Sequence, residues 1–205
     1  MRSVLSIGCW MFMLTMTAQP DSSYYETGAL KSIGEIDSMG LRQGQWEFFY
    51  PNHQMSAILH FEDDELDSLQ SYFYPDGKIQ AIERWISGLL EDSSRYFYPN
   101  GQLEKLGAYR KGLYEGRWQF YFENGLIKRE GEYTQGLPVG YWKFYFENGA
   151  INQEGNMLNG KEDGLWKYFD EDGNQLYEGY WKKGKKIGRW YFFKKGKKKD
   201  WKNFD

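Results

Sequence analysis

"GRWQFYFENG", Gly116 to Gly125, is followed by "GYWKFYFENG", Gly140 to Gly149, at an interval of 24 residues. Extending that interval in both directions gives one column: Trp46, Gln70, Ser94, Trp118, Trp142, Trp166 and Trp190. Two residues further on stand Phe48, Tyr72, Tyr96, Phe120, Phe144, Tyr168 and Phe192. The residue after each of these is again aromatic, as at Tyr121 and Tyr145. A turn column holds Asn52-His53, Asp76-Gly77, Asn100-Gly101, Asn124-Gly125, Asn148-Gly149 and Asp172-Gly173. A later column holds Phe61, Trp85, Tyr109, Tyr133, Met157 and Trp181. A fixed period of this length is the mark of a repeat architecture, in which each unit solves the same folding problem again.

Each unit reads as a β-hairpin. "WQFYF" has the aromatic, alternating character of a strand, and "ENG", "PDG" and "PNG" are turn signals. Tyr98-Pro99-Asn100-Gly101 fits a three-residue loop: Pro and Asn occupy the centre of a type I turn, and Gly takes the left-handed position that forms a bulge. "LIKREGEY", Leu126 to Tyr133, is the returning strand, and "TQGLPVG", Thr134 to Gly140, is read as the loop to the next tryptophan strand. Consecutive antiparallel strands with short links make a β-meander. The fold class is therefore all-β: an elongated antiparallel β-meander of successive 24-residue hairpins. Aromatics at 20% and 24 glycines in 205 residues suit it better than a helical core.

Strand alternation puts Trp118, Phe120 and Phe122 on one face and Gln119 and Tyr121 on the other. Gly131 shares the aromatic face with Tyr133, and the same place is held by Gly107, Gly155 and Gly179. Two readings stand: these glycines leave room for a neighbouring indole, or they mark bulges. A single sheet does not hide both faces, so the aromatic one must be concave or covered. Gln70 and Ser94 break the rule, and their hairpins are expected to pack less well or to use the lost tryptophan space otherwise. Tyr121 and Tyr145 are candidates for stacking on a sugar or a peptide.

The G-x-W-x-[FY]-[YF]-x-x-[ND]-G-x-[LI]-x-x-x-G-x-[YW]-x-x-G pattern resembles the MORN repeat in its bacterial variant form, and is similar to the YwqK family. It is carried by Gly116, Trp118, Phe120, Tyr121, Asn124, Gly125, Ile127, Gly131, Tyr133 and Gly136, and it recurs at Gly140–Gly160 and Gly164–Gly184. The resemblance covers about residues 27–196. It implies a twisted sheet of hairpins that serves as a protein-interaction scaffold, with membrane-lipid contact in some members and an antitoxin role in the YwqK group.

The ends differ from the array. "MRSVLSIGCWMFMLTMTAQP" has a basic residue, an apolar stretch from Val4 to Met16 too short to span a membrane, and small residues up to Ala18. Residues 1–18 are accordingly expected to be a signal peptide, with 19–26 a linker, 27–196 the MORN-like array and 197–205 a basic end that reads as a degenerate last strand. A buried N-terminal strand and lipidation at Cys9, after "LSIG", are the alternatives for this start. From Trp181 to Asp205 there are 11 Lys+Arg against 2 Asp+Glu, while the rest of the chain has 15 against 27. Those lysines either blunt an open sheet edge or touch an anionic surface.

Chemistry is sparse. His53 sits at a turn glycine's place and His60 beside Phe61, neither in metal-ligand company. "FEDDELD", Phe61 to Asp67, lacks the spacing of a calcium loop and reads as a solvated return loop. No catalytic, cofactor or metal residue is assigned. The expected function is that of an exported, non-enzymatic scaffold or binding module of the cell envelope with a protein partner. Neither nucleic acid nor a transmembrane span is expected. An antitoxin-type inhibitor and a glycan-binding or glycan-processing envelope protein are the alternatives.

Overall fold

The computed structural model describes residues 18–204. The expected signal peptide and Cys9 lie outside the described residues, apart from Ala18. Eighteen strands follow one another: β1 (Gln19–Tyr24), β2 (Leu30–Ile36), β3 (Arg42–Phe49), β4 (Met55–Glu62), β5 (Glu65–Leu66), β6 (Ser68–Phe73), β7 (Ile79–Ile86), β8 (Leu89–Leu90), β9 (Asp92–Phe97), β10 (Leu103–Arg110), β11 (Leu113–Tyr121), β12 (Ile127–Thr134), β13 (Leu137–Tyr145), β14 (Ile151–Leu158), β15 (Lys161–Phe169), β16 (Gln175–Lys182), β17 (Lys185–Lys194) and β18 (Lys197–Phe204). All belong to one antiparallel sheet, with β5–β6 and β8–β9 each acting as one interrupted strand. No helix occurs among the described residues.

The hairpin turns follow from their residues. Gly101 N–H donates to Tyr98 O at 2.8 Å, Tyr98 N–H donates to Gln102 O at 2.8 Å, and Gly101 adopts φ +87°. Only that left-handed residue closes a type I turn into the strand twist. Asn100 adds two bonds: its Oδ1 accepts from Gln102 N–H, and its Nδ2 donates to Glu123 O of the next turn at 2.8 Å. Asn124 and Asn148 repeat this toward Glu147 O and Glu171 O. At Asp172-Gly173 the neighbouring Asp170 caps the turn instead, accepting from Asp172 N–H and Asn174 N–H.

The return links are tighter than the sequence reading has them. The Thr134–Gly140 loop reduces to a two-residue turn, Gln135 (φ +50°) and Gly136 (φ +78°), and β13 already begins at Leu137. Two successive positive φ values define the primed turn whose twist matches its strands. Gly140 (φ +66°) lies inside β13, where the pairing with β12 skips beside Gly131.

Both ends are woven into the sheet. Residues 19–24, read as a linker, form β1 and pair with β2 from Gln19↔Ile36 to Tyr24↔Leu30. Strand β2 would otherwise expose a row of unpaired backbone groups, and β1 satisfies them. At the other end β18 pairs with β17 over Gly188–Lys194.

Candidate binding surface

The tryptophans are the core. Trp118, Trp142, Trp166 and Trp190 are at most 1% exposed, although no second layer covers them among the described residues. Each indole lies flat on the glycine of the preceding strand: Trp118 on Gly107, Trp142 on Gly131, Trp166 on Gly155 and Trp190 on Gly179. A Cβ at any of these glycines would run into the ring. The ladder skips at the same places, so both readings of the glycine column hold at once. At three of the four the indole N–H takes a carbonyl of the skipped strand, while Trp142 Nε1 donates to Val139 O of its own strand at 3.1 Å. Trp118 Nε1 donates to Ala108 O at 2.9 Å, Trp166 Nε1 to Asn156 O at 3.0 Å and Trp190 Nε1 to Tyr180 O at 3.2 Å. Neighbouring rings close the outer side. Tyr114 stacks on Trp118 at 3.9 Å, and Tyr133 meets Trp142 edge-on at 5.0 Å. The face hides its largest rings by folding them down onto glycine.

The two departures are compensated in pairs. Where tryptophan becomes Gln70, the glycine eleven places before it becomes Leu59, and where it becomes Ser94, the glycine becomes Glu83. Gln70 is fully buried and does the indole's work. Its Oε1 accepts from His60 N–H at 2.7 Å, and its Nε2 donates to Asp67 O at 2.6 Å and His60 O at 3.2 Å. Glu83 holds two bonds, from Tyr96 Oη at 2.6 Å and Trp85 Nε1 at 2.9 Å, and Tyr96 Oη lies 3.1 Å from Tyr109 Oη. Ser94 Oγ is the one buried side-chain polar atom among the described residues without a hydrogen-bond partner. Burial foremost, and Glu83 after it, push the Tyr72 hydroxyl up to about 12 and Tyr96 higher still. Sequence reading located these breaks but missed Glu83 and Leu59. The signal was the glycine column read against the tryptophan column.

A second row on the same face crosses the whole sheet in register: Ser32, Phe48, Ala57, Tyr72, Ala81, Tyr96, Lys105, Phe120, Arg129, Phe144, Gln153, Tyr168, Tyr177, Phe192, Lys199. All the expected core aromatics at Phe48, Tyr72, Tyr96, Phe144, Tyr168 and Phe192 lie here half-buried, and Phe120 is buried. Basic side chains lie between rings: Lys105 Nζ is 4.1 Å from the Tyr96 ring and Arg129 Cζ 4.2 Å from Phe120. Near β18, Lys186 sits among Trp190 (4.3 Å), Trp201 (5.4 Å), Phe204 (5.5 Å) and Trp181 (5.6 Å), beside an open cleft of 500 Å³.

The opposite face carries a charge ladder over the later repeats, beside the exposed rings of Tyr141 and Tyr180. Glu130, Lys143, Glu154, Lys167 and Glu178 are successive cross-strand partners, a ladder of alternating sign. Tyr121 and Tyr145, expected to offer free rings, are half-buried and tied into it. Tyr145 Oη donates to Glu130 Oε1 at 2.9 Å and Tyr121 Oη to Gln119 Oε1 at 3.3 Å. Arg117 meets Glu130 at 2.7 Å and, with Tyr145 and Gln119, holds that carboxyl below its usual range despite partial burial. In the acidic stretch, Asp63 and Asp64 form the turn itself, and they bond Gln43 and Arg42. Among the described residues no three His, Cys, Asp or Glu side chains converge as metal ligands would.

Four consecutive stretches, residues 93–111, 114–135, 138–159 and 162–183, match the model of the MORN repeat variant family. These are MORN-variant repeats. The match begins inside the Ser94 repeat and ends before the Trp190 strand. No curated protein matches the chain in sequence. Among solved structures this chain is similar to TcdB2-TccC3 and to TcdB2-TccC3-Cdc42. Each is 10% identical over 86% of this chain and 14% of that chain, with a TM-score of 0.20, a likeness too loose to carry an argument.

Proposed function

We propose that this MORN-repeat chain is an exported, non-catalytic binding module of the cell envelope that holds a protein partner against its aromatic face. The row of half-buried aromatics from Phe48 to Phe192 carries the reading. Scattered surface aromatics are ordinary, but a ring on every second strand along one row marks an interaction surface. The charge ladder opposite favours solvent by the same reasoning. Export rests on the N-terminal sequence, with cleavage after Ala18.

The test is fractionation with N-terminal sequencing, followed by photo-crosslinking from position 72 on the aromatic face and from position 143 on the other. A mature chain starting at Gln19 in the envelope fraction, with protein adducts from position 72, is the expected result. Adducts from position 143 alone would remove the aromatic face from the proposal. An uncleaved chain in the cytoplasm bound to a toxin would replace it with the antitoxin-type reading, and sugar adducts would replace it with the glycan-binding one.

A further inference from the structure

The aromatic row has a rule of its own. Between successive rings stands the residue of the returning strand, and in the later repeats it is long: Lys105, Arg129, Gln153, Tyr177. Lys105 and Arg129 each lay a cationic group about 4 Å from a ring, 4.1 Å for Tyr96 and 4.2 Å for Phe120. In the earlier repeats the rule fails twice, at Ala57 between Phe48 and Tyr72 and at Ala81, both buried at the floor of the row, and only Ala81 has Glu83 beside it. Ala81 is the register partner of both Tyr72 and Tyr96 and carries only a methyl group. Two ring-bearing strands flank it at a separation of roughly 10 Å, which accommodates one flat or rod-like group between two ring faces. A cavity of 360 Å³ opens there, lined by Tyr72, Ala81, Glu83, Tyr96 and Glu104 among others, with no Lys or Arg in its wall.

We infer that this slot takes an arginine or lysine side chain from a protein partner, in the manner that Arg129 and Lys105 fill the equivalent slots in cis. Two observations select that occupant. The protein itself lays a cation against one ring of this row at Lys105 and again at Arg129, and cations are attracted to ring faces. The only charged groups on the wall are the carboxylates of Glu83 and Glu104, so a cation entering the slot meets complementary charge. Glu83 is at hand because the Trp–Gly pair has been replaced by Ser94 and Glu83, and its carboxylate is already positioned by Tyr96 and Trp85. The break in the repeat therefore supplies both the opening and the charge. The inference rests on the protein-binding reading above and names the chemistry of the partner's contact.

The experiment uses the mature protein and a fluorescein-labelled hexa-arginine peptide, read by anisotropy at physiological salt. Wild type is expected to bind. Ala81→Arg places the occupant in cis and is expected to weaken binding at least about tenfold, as two buried cation contacts would. Ala81→Gln copies the residue found at Gln153 and serves if the arginine variant does not fold. Glu83→Gln is expected to weaken binding as well. Glu62→Gln combined with Glu65→Gln removes charge from the distant acidic turn and is expected to change binding less than threefold. Undiminished binding by the position 81 variants, equal loss in the acidic-turn variant, or no binding by wild type would each overturn the slot. None of those results touches the crosslinking from position 72, so failure of the slot and failure of the binding-module reading remain distinct.

Discussion

At the scale of single residues the molecule turns on one exchange: a glycine gives up its side chain so that an indole can lie on the backbone. Gly131→Val would thrust a branched side chain into the Trp142 ring, and overpacking of this kind costs on the order of 3 kcal/mol. Urea unfolding should show that loss, and an unchanged midpoint would mean that the ring moves away freely. The exchange should also run in reverse. Gln70→Trp alone meets Leu59 and is expected to destabilise, whereas Leu59→Gly together with Gln70→Trp rebuilds the pair. The double-mutant cycle should give a favourable coupling of at least about 1 kcal/mol. Charge at Glu130 adds a pH dependence. Its folded carboxyl is held below the ordinary value of 4.5, first by Arg117 and then by Tyr145 and Gln119. A depressed folded value stabilises above 4.5 and loses that contribution as pH falls through the depressed value. Glu130→Gln should therefore be less stable than wild type at pH 7, with the gap narrowing as pH falls below 4.5 in denaturant titrations.

Individual hairpins are fastened to one another at their tips as well as along their strands. Tyr25, Tyr50, Tyr74 and Tyr98 each donate a hydroxyl to a backbone carbonyl one repeat on, at Phe49, Phe73, Phe97 and Tyr121. Asn100 adds a second bond beside that of Tyr98, and Asn124 and Asn148 continue the fastening where Phe122 and Phe146 replace the tyrosine. Asn124→Ala loses its bond to Leu126 N–H and its link to Glu147 O, together about 1 kcal/mol at an exposed site. Thermal melts of that variant should fall by a few degrees, and a neutral result would show that the tip bonds exchange freely with water. The asparagines were visible in the sequence as turn formers. Their second bond was not, because it depends on the next turn lying one repeat away in space at the same height.

Across the whole molecule, contacts run between neighbouring strands, so stability is distributed along the array instead of being pooled in one core. The stretch around Gln70 and Ser94 lacks the indoles that anchor every later repeat. Hydrogen exchange should accordingly open Ser68–Phe73 and Asp92–Phe97 at lower free energy than Leu137–Tyr145 and Lys161–Phe169. Uniform protection would mean that Gln70 and Glu83 replace the indoles in full. The proposed slot at Ala81 lies in this weaker region, where a partner's side chain has the most to add.

The sequence by itself determined the all-β class, the 24-residue unit, the turns at Asn100, Asn124 and Asn148, and the tryptophan column. Those are local or periodic facts, dictated by strand alternation, turn chemistry and spacing. It misread residues 19–24 as a linker, since "QPDSSY" has little strand character and is held by the open edge of β2. It also gave Tyr121 and Tyr145 a binding role, whereas Tyr121 bonds Gln119 on its own strand and Tyr145 bonds Glu130 across strands. Only the tertiary structure decided that an indole could be buried in a single sheet, that Glu83 belongs to the lost tryptophan at Ser94, and that Ala81 leaves a gap between two tyrosines. Each of these depends on which residues stand side by side across strands. That pairing is set by skips in the ladder at the glycines, and a period read along the chain does not contain them.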